Sequence, residues 1–226
     1  MHADYYQNIV YPLQDKVLEI VGQLPVEFYM TGGTALSRAY LHHRHSDDLD
    51  FFLNGAPDFK QQVNAIINAL SASRLQFDVS VADESYARIF ILEGKFTLKL
   101  DFVNDIPYRC GTSNDTKLFK RTDNILNILS NKLTALSRYT AKDVVDIVFI
   151  CKSTPFSWDS IFNDASEKDL WVNPVNVAEI LEKFPVEKLK EIAWIDKMPS
   201  DEWFLSQINR IISDILEGKS NSLSKG

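Results

Sequence analysis

The chain has 226 residues, 45% hydrophobic and 12% aromatic, with a formal net charge of −7. That is enough apolar material for one large or two small buried cores, and the acidity argues against a general nucleic-acid coat protein. No apolar run is long enough to cross a membrane, the N-terminal segment has no signal-peptide core, and Cys110 and Cys151 give neither a disulfide framework nor a metal knuckle, so a reducing cytoplasm is the expected setting.

Apolar residues at helical spacing (Ile9, Val10, Leu13, Val17, Ile20, Val21, Leu24) predict a helix over 4–24, stopped by Pro25. Residues 26–31 read as a short strand, 34–43 as a helix, 49–53 as a strand and 58–72 as a helix capped by Asp58. Three strand candidates follow, 75–81, 86–92 and 95–103, with Glu93-Gly94 as a hairpin turn between the last two. After about residue 107 the pattern turns helical, with helices expected at 125–139, 142–151, 175–184, 186–192 and 202–217. The organisation expected is an α+β domain over 1–110, a helical domain over 111–217 and a disordered tail over 218–226.

The most informative stretch runs from Gly32 to Phe52, GGTALSRAYLHHRHSDDLDFF. Glycines allow backbone N–H groups to approach a phosphate closely, and a helix starting just after them points its positive end at the same place. Asp48 and Asp50 are two apart on a strand, so they share a face while Leu49 points into the core. In Thr97–Val103, Leu98, Leu100 and Phe102 alternate onto one face and leave Lys99 and Asp101 on the other. Phosphoryl transfer from a triphosphate asks mainly for positioning and charge neutralisation, and a glycine turn beside two or three carboxylates is the minimum site for it.

Gly32, Gly33, Thr34, Leu36, Arg44, Ser46, Asp48 and Asp50 make this region resemble the nucleotidyltransferases of the DNA polymerase β superfamily, and within it the AbiEii/AbiGii toxin family of bacterial abortive-infection and toxin–antitoxin systems. A second block, Lys132 to Arg138 followed by Lys142, Asp143 and Asp146, is also similar to that family. The resemblance implies a polymerase β-type core with a small mixed sheet. It implies transfer of a nucleoside monophosphate from an NTP to an acceptor hydroxyl, with Mg2+ or Mn2+ held by Asp48, Asp50 and Asp101. It further implies a nucleotide site of Gly32, Gly33, Thr34, Arg44, Ser46, Lys132 and Asp146, an RNA acceptor such as the 3′ end of tRNA, and a cognate antitoxin. An acceptor that is a protein or small molecule, or a non-catalytic relic of the fold, are the alternatives.

Lys132 has apolar neighbours at −7, −4, −3, +4 and +7. A lysine in such a stripe either snorkels or meets an anion, and replacing it is expected to leave stability equal or higher. Asp143 follows Thr140 in a capping-box spacing, and Asp146 follows Lys142 by one turn. His42, His43 and His45 lie among Arg38 and Arg44. No spaced partner completes a zinc site there, and the readings are a brace for the carboxylate strand, a phosphate contact or a polar loop. Between Lys117 and Lys152 stand seven basic residues (Lys117, Lys120, Arg121, Lys132, Arg138, Lys142, Lys152) and three acids (Asp123, Asp143, Asp146), a stretch compatible with a phosphate-bearing acceptor.

Overall fold

The structure, a computed structural model, describes residues 2–225, with side chains from 4 to 224. The chain divides into two units: residues 1–39, 45–107 and 112–123, and residues 40–44, 108–111 and 124–226.

The first unit is built on a five-stranded sheet in the order β1-β2-β5-β4-β3, from β1 (Tyr29–Thr31), β2 (Leu49–Asn54), β3 (Gln76–Ala82), β4 (Tyr86–Glu93) and β5 (Phe96–Asp105). β2 and β5 are parallel and every other neighbouring pair is antiparallel. Alternation puts Leu49, Phe51, Ile89, Ile91, Leu98, Leu100 and Phe102 on the buried side. There Phe51 stacks on Phe102 with ring centres 5.1 Å apart, and Phe28 meets Phe59 and Phe102 edge-on. The opposite side carries Asp50, Asp101, Lys99 and Arg88 as strand neighbours, because the register pairs Asp50 with both Thr31 and Asp101, and Asp101 with Arg88. Gly94, at φ +59°, supplies the left-handed turn between β4 and β5.

The N-terminal helix is not uniform. A turn of α1 (His2–Tyr5) passes through a π-helical stretch (Tyr6–Val10) into α2 (Tyr11–Gln23). The helix expected over 34–43 is a single turn, α3 (Gly32–Thr34), followed by a π-helical stretch (Ala35–Leu41). Helix α4 (Phe59–Ala72) lacks the expected cap: Asp58 accepts a hydrogen bond from the Gln62 side chain, 3.0 Å away, rather than from a backbone N–H. The strand expected over 26–31 shortens to Tyr29–Thr31. Residues 112–123, expected in the helical domain, belong to the first unit. Met30 N–H donates to Arg121 C=O and Asp123 N–H to Met30 C=O, each 2.8 Å, and Arg121 Nε donates to Phe28 C=O, also at 2.8 Å.

The second unit is helical: α5 (Ile125–Ala135), α6 (Ala141–Ser153), α7 (Trp158–Ser166), α8 (Pro174–Glu182) and α9 (Asp201–Leu216), with 3-10 turns at Leu136–Arg138, Val186–Glu191 and Leu223–Lys225. α6 is buried almost all round, with Val144, Val145, Ile147, Val148, Ile150 and Cys151 in the core. α7 was not expected, although Trp158, Ile161, Phe162 and Ala165 stand at i, i+3, i+4 and i+7 and are all buried. The expected disordered tail is packed as far as the described residues reach. Buried Asn221 donates from Nδ2 to the carbonyls of Cys151 at 2.7 Å and Thr154 at 2.8 Å, and Ser222 N–H donates to Asp214. The carbonyls it meets are among those a helix C-terminus leaves without an intrahelical donor. Composition alone cannot show that one polar residue of a Gly/Ser/Lys-rich tail fills that need.

Candidate active site

Gly32 follows β1 at φ +71°, in the left-handed region. A Cβ there would lie 2.2 Å from Asp50 Oδ2. Both the backbone angle and the packed carboxylate therefore demand glycine. The Thr34 hydroxyl donates to the backbone carbonyl of Asp48, and the residue is buried. Sequence reading offers that hydroxyl to a phosphate; the fold spends it on fixing the start of β2. The loop ahead of β2 is held from the N-terminal helix: Tyr6 Oη donates to Asp47 at 2.6 Å, the Tyr6 and His45 rings stack 3.9 Å apart, Tyr11 Oη hydrogen-bonds His45 Nδ1 at 2.6 Å, and Gln14 Nε2 donates to Ser46 C=O at 2.9 Å. Ser46 and His45 are buried in this brace.

On the carboxylate side of the sheet, Lys99 Nζ lies 3.1 Å from both Asp48 Oδ2 and Asp101 Oδ2. Arg88 grips Asp101 with a two-pronged contact, Nε to Oδ1 at 2.7 Å and Nη2 to Oδ2 at 3.0 Å, and Tyr86 Oη donates to Oδ1 at 2.8 Å. Burial works against the charged form of Asp101, but the bonds from Arg88 and Tyr86 and the charge of Lys99 prevail and hold its carboxyl below the ordinary range. Burial likewise opposes the Lys99 charge, and Asp48 and Asp101 outweigh it, raising its pKa. The expected three-carboxylate ligand set is not assembled: among the described residues no group of three or more His, Cys, Asp or Glu side chains is arranged to hold a metal ion. The reason is visible in Asp101, whose two oxygens are turned to Arg88, Tyr86 and Lys99.

The other expected site residues form a buried cluster in the second unit. Asp146, fully buried, accepts from Arg44 Nε and Nη2, each at 2.7 Å, from His43 Nε2 at 2.9 Å and from Lys132 Nζ at 2.8 Å. Lys132 Nζ also contacts Asp143 Oδ1 at 2.6 Å, and the Thr140 hydroxyl donates to Asp143 Oδ2. With His43 neutral, two cations face two anions. Burial lowers the His43 pKa more than its bond to Asp146 raises it. Burial pushes against the Asp146 charge, yet Arg44, Lys132 and His43 hold its carboxyl well below the ordinary range. Lys132 neither snorkels nor stands open to an anion; it balances two carboxylates. Within the basic stretch 117–152, Lys132 is enclosed, the Lys152 ammonium lies 4.6 Å over the Trp203 ring, and Lys117, Lys120, Arg138 and Lys142 are exposed.

The family model described as "Nucleotidyl transferase AbiEii toxin, Type IV TA system" matches residues 19–198, most of the chain. The chain belongs to the AbiEii nucleotidyltransferase toxin family. It is accordingly a nucleotidyltransferase of toxin–antitoxin type. Among solved structures it is similar to JHP933 from Helicobacter pylori, at 20% identity and TM-score 0.64, with 96% of this chain and 92% of that one covered. Another solved structure from H. pylori, described as that of a nucleotidyltransferase, matches at 19% identity and TM-score 0.61, with 95% of each chain covered. At these identities the likeness shows the fold. No curated protein sequence matches.

An AbiEii-type enzyme is expected to use a divalent cation, and the oxygen donors on this face of the sheet are of a kind that suits one. Two carboxylates, Asp48 and Asp101, already converge on a single cationic atom, Lys99 Nζ, and Asp50, on β2 two residues after Asp48, packs its carboxylate against the glycine turn. Oxygen donors of this kind suit Mg2+ or Mn2+. Asp48 and Asp50 are the residues that would hold it. Asp101 joins them only by giving up its Lys99 contact. Sequence reading did not single out Arg88, Tyr86 or Lys99 for this site. The i, i+2 alternation signalled Lys99, which shares a face with Asp101.

Proposed function

We propose that the chain transfers a nucleoside monophosphate from an NTP to a hydroxyl of RNA, such as the 3′ end of tRNA, using a divalent cation held by Asp48 and Asp50. The observation that carries this reading is the Gly32 turn packed against Asp50, beside carboxylates that converge on one cation position. When bound, the metal supplies charge neutralisation for the triphosphate and the departing pyrophosphate. The protein's own residues do the positioning. Gly32 and Gly33 bring backbone N–H groups close to phosphate, with no side chain in the way. Thr34 fixes the Asp48 backbone, and Ser46 and His45, held by Tyr11 and Gln14, fix the loop that feeds β2. Asp101 is kept ionised by Arg88 and Tyr86 and balances Lys99.

In this reading Arg44, Lys132, Asp143 and Asp146 form a rigid charged cluster rather than a set of free phosphate ligands. Lys132 serves a phosphate only by leaving Asp143 and Asp146. The family's toxin description, together with exposed Lys117, Lys120, Arg138 and Lys142, supports a phosphate-rich acceptor and a cognate antitoxin as partner. The test is incubation with α-labelled NTP and Mg2+, with total RNA in one arm and RNase-treated lysate in the other. Label in the RNA fraction, concentrated in tRNA, supports the proposal. Label confined to protein or small molecules assigns the acceptor elsewhere.

A further inference from the structure

One of the two carboxylates proposed to hold the metal, Asp48, already holds a cation of the protein's own, which it shares with Asp101. Lys99 Nζ sits 3.1 Å from an oxygen of Asp48 and 3.1 Å from an oxygen of Asp101, bridging two strands that are parallel neighbours. A divalent ion drawing on Asp48 and Asp101 would need the space this ammonium fills. The surroundings also let the lysine leave. Asp48 is 40% exposed and Lys99 28%, so neither is locked in the core. Asp101, only 11% exposed, keeps the Arg88 fork and the Tyr86 hydroxyl, so it is not stranded when Lys99 departs.

We infer that Lys99 is a resident counter-cation of the Asp48–Asp101 pair which an incoming divalent metal displaces, so that metal binding and release of the Lys99 ammonium are one event. This rests on the reading of Asp48 and Asp50 as metal ligands. Its consequence is a weakened apparent metal affinity in the nucleotide-free protein, because the metal-ready arrangement is only part of the population. A poised pair of unneutralised carboxylates would otherwise repel in a site that is partly desolvated.

The test is Mn2+ binding to the nucleotide-free protein, followed by the electron-paramagnetic signal of the free ion. Lys99→Met binds Mn2+ about tenfold tighter than wild type, the factor expected if the lysine-closed form outweighs the open form by about ten to one. Lys95→Met, which removes an exposed charge on the β4–β5 turn, leaves the affinity unchanged and controls for loss of bulk positive charge. A second measurement uses wild-type protein alone. Mg2+ without nucleotide raises the rate at which an amine-acylating reagent labels Lys99, read peptide by peptide by mass spectrometry, relative to the other lysines. Equal or weaker Mn2+ binding by Lys99→Met, or Lys99 labelling that Mg2+ leaves unchanged or suppresses, overturns the inference. Asp48→Asn separates the two failures. If it loses Mn2+ affinity while Lys99→Met gains none, only the role of Lys99 falls; if it binds like wild type, the metal-site reading falls with it.

Discussion

Replacing Lys132 by methionine tests the buried cluster most sharply, because sequence and structure predict opposite results. Viewed along the helix, Lys132 is a charge in an apolar stripe, and its removal should cost nothing. In the folded unit its ammonium lies 2.6 Å from Asp143 and 2.8 Å from Asp146, with side-chain exposures of 12%, 11% and 0%. Lys132→Met turns a balanced set of two cations and two anions into one with a surplus buried negative charge. Removing one member of a buried pair costs about 3–5 kcal/mol. Asp146 retains Arg44 and His43, and Asp143 retains Thr140, so the lower end, about 3 kcal/mol, applies. For a chain of this size that lowers the melting temperature by roughly 6–12 °C. The assay is denaturant and thermal unfolding of wild type, Lys132→Met, Asp143→Asn and the double variant. The cycle should return a coupling of about 1–3 kcal/mol between the two positions. A Lys132→Met protein that melts at or above the wild-type temperature refutes the cluster as a stabilising unit and restores the lysine to the nucleotide.

Gly32→Ala should fold less stably by about 1 kcal/mol or more, from the left-handed backbone alone, and its Cβ, 2.2 Å from Asp50 Oδ2, should displace that carboxylate; near wild-type Mn2+ affinity in the variant would contradict this. Asn221→Ala should cost about 1–3 kcal/mol, because two carbonyls at the end of α6 lose their donor, and a C-terminal truncation before residue 220 should match it in melting experiments. Stability should fall on acidification in two windows. The unfolded chain protonates His43 near its ordinary 6.5 while the folded chain resists, so stability declines as pH drops below about 6.5. The stability held by ionised Asp146 is present above its ordinary 3.8 and is lost as pH falls toward the depressed folded value. His43→Asn should flatten the first window only, as measured by unfolding at a series of pH values.

Much of the sheet was legible because alternation is a strong signal. Leu98, Leu100 and Phe102 declared the buried face of β5, and with it the face of Lys99 and Asp101. The turn falls at Gly94-Lys95, one residue after the expected Glu93-Gly94; a turn at the expected place would have set Arg88 opposite Lys99 rather than Asp101, so the Arg88 grip was hidden while the hairpin itself is legible. The parallel pairing of β2 with β5 is not: nothing local reveals that Asp50 and Asp101 will be neighbours. The same limit hid the fate of Lys132. Its helical neighbours are visible in the sequence, but the carboxylates that neutralise it come from α6, one helix on, and Arg44 comes from 102 residues before Asp146. Thr34 shows the limit at its smallest: a residue type suited to phosphate is consumed by a backbone carbonyl that the fold brings to it. α7 was the avoidable omission, since its apolar spacing was present throughout.

Nucleotidyl transfer is assigned to Asp48 and Asp50 beside Gly32. The most direct measurement is Mg2+-dependent transfer of label from an α-labelled NTP to purified tRNA by wild type, Asp48→Asn and Asp50→Asn, with the melting temperature of each protein recorded alongside. The expected result is labelled tRNA with wild type, a loss of at least about a hundredfold with either variant, and melting temperatures within a few degrees of one another. Near wild-type labelling by either well-folded variant would contradict it.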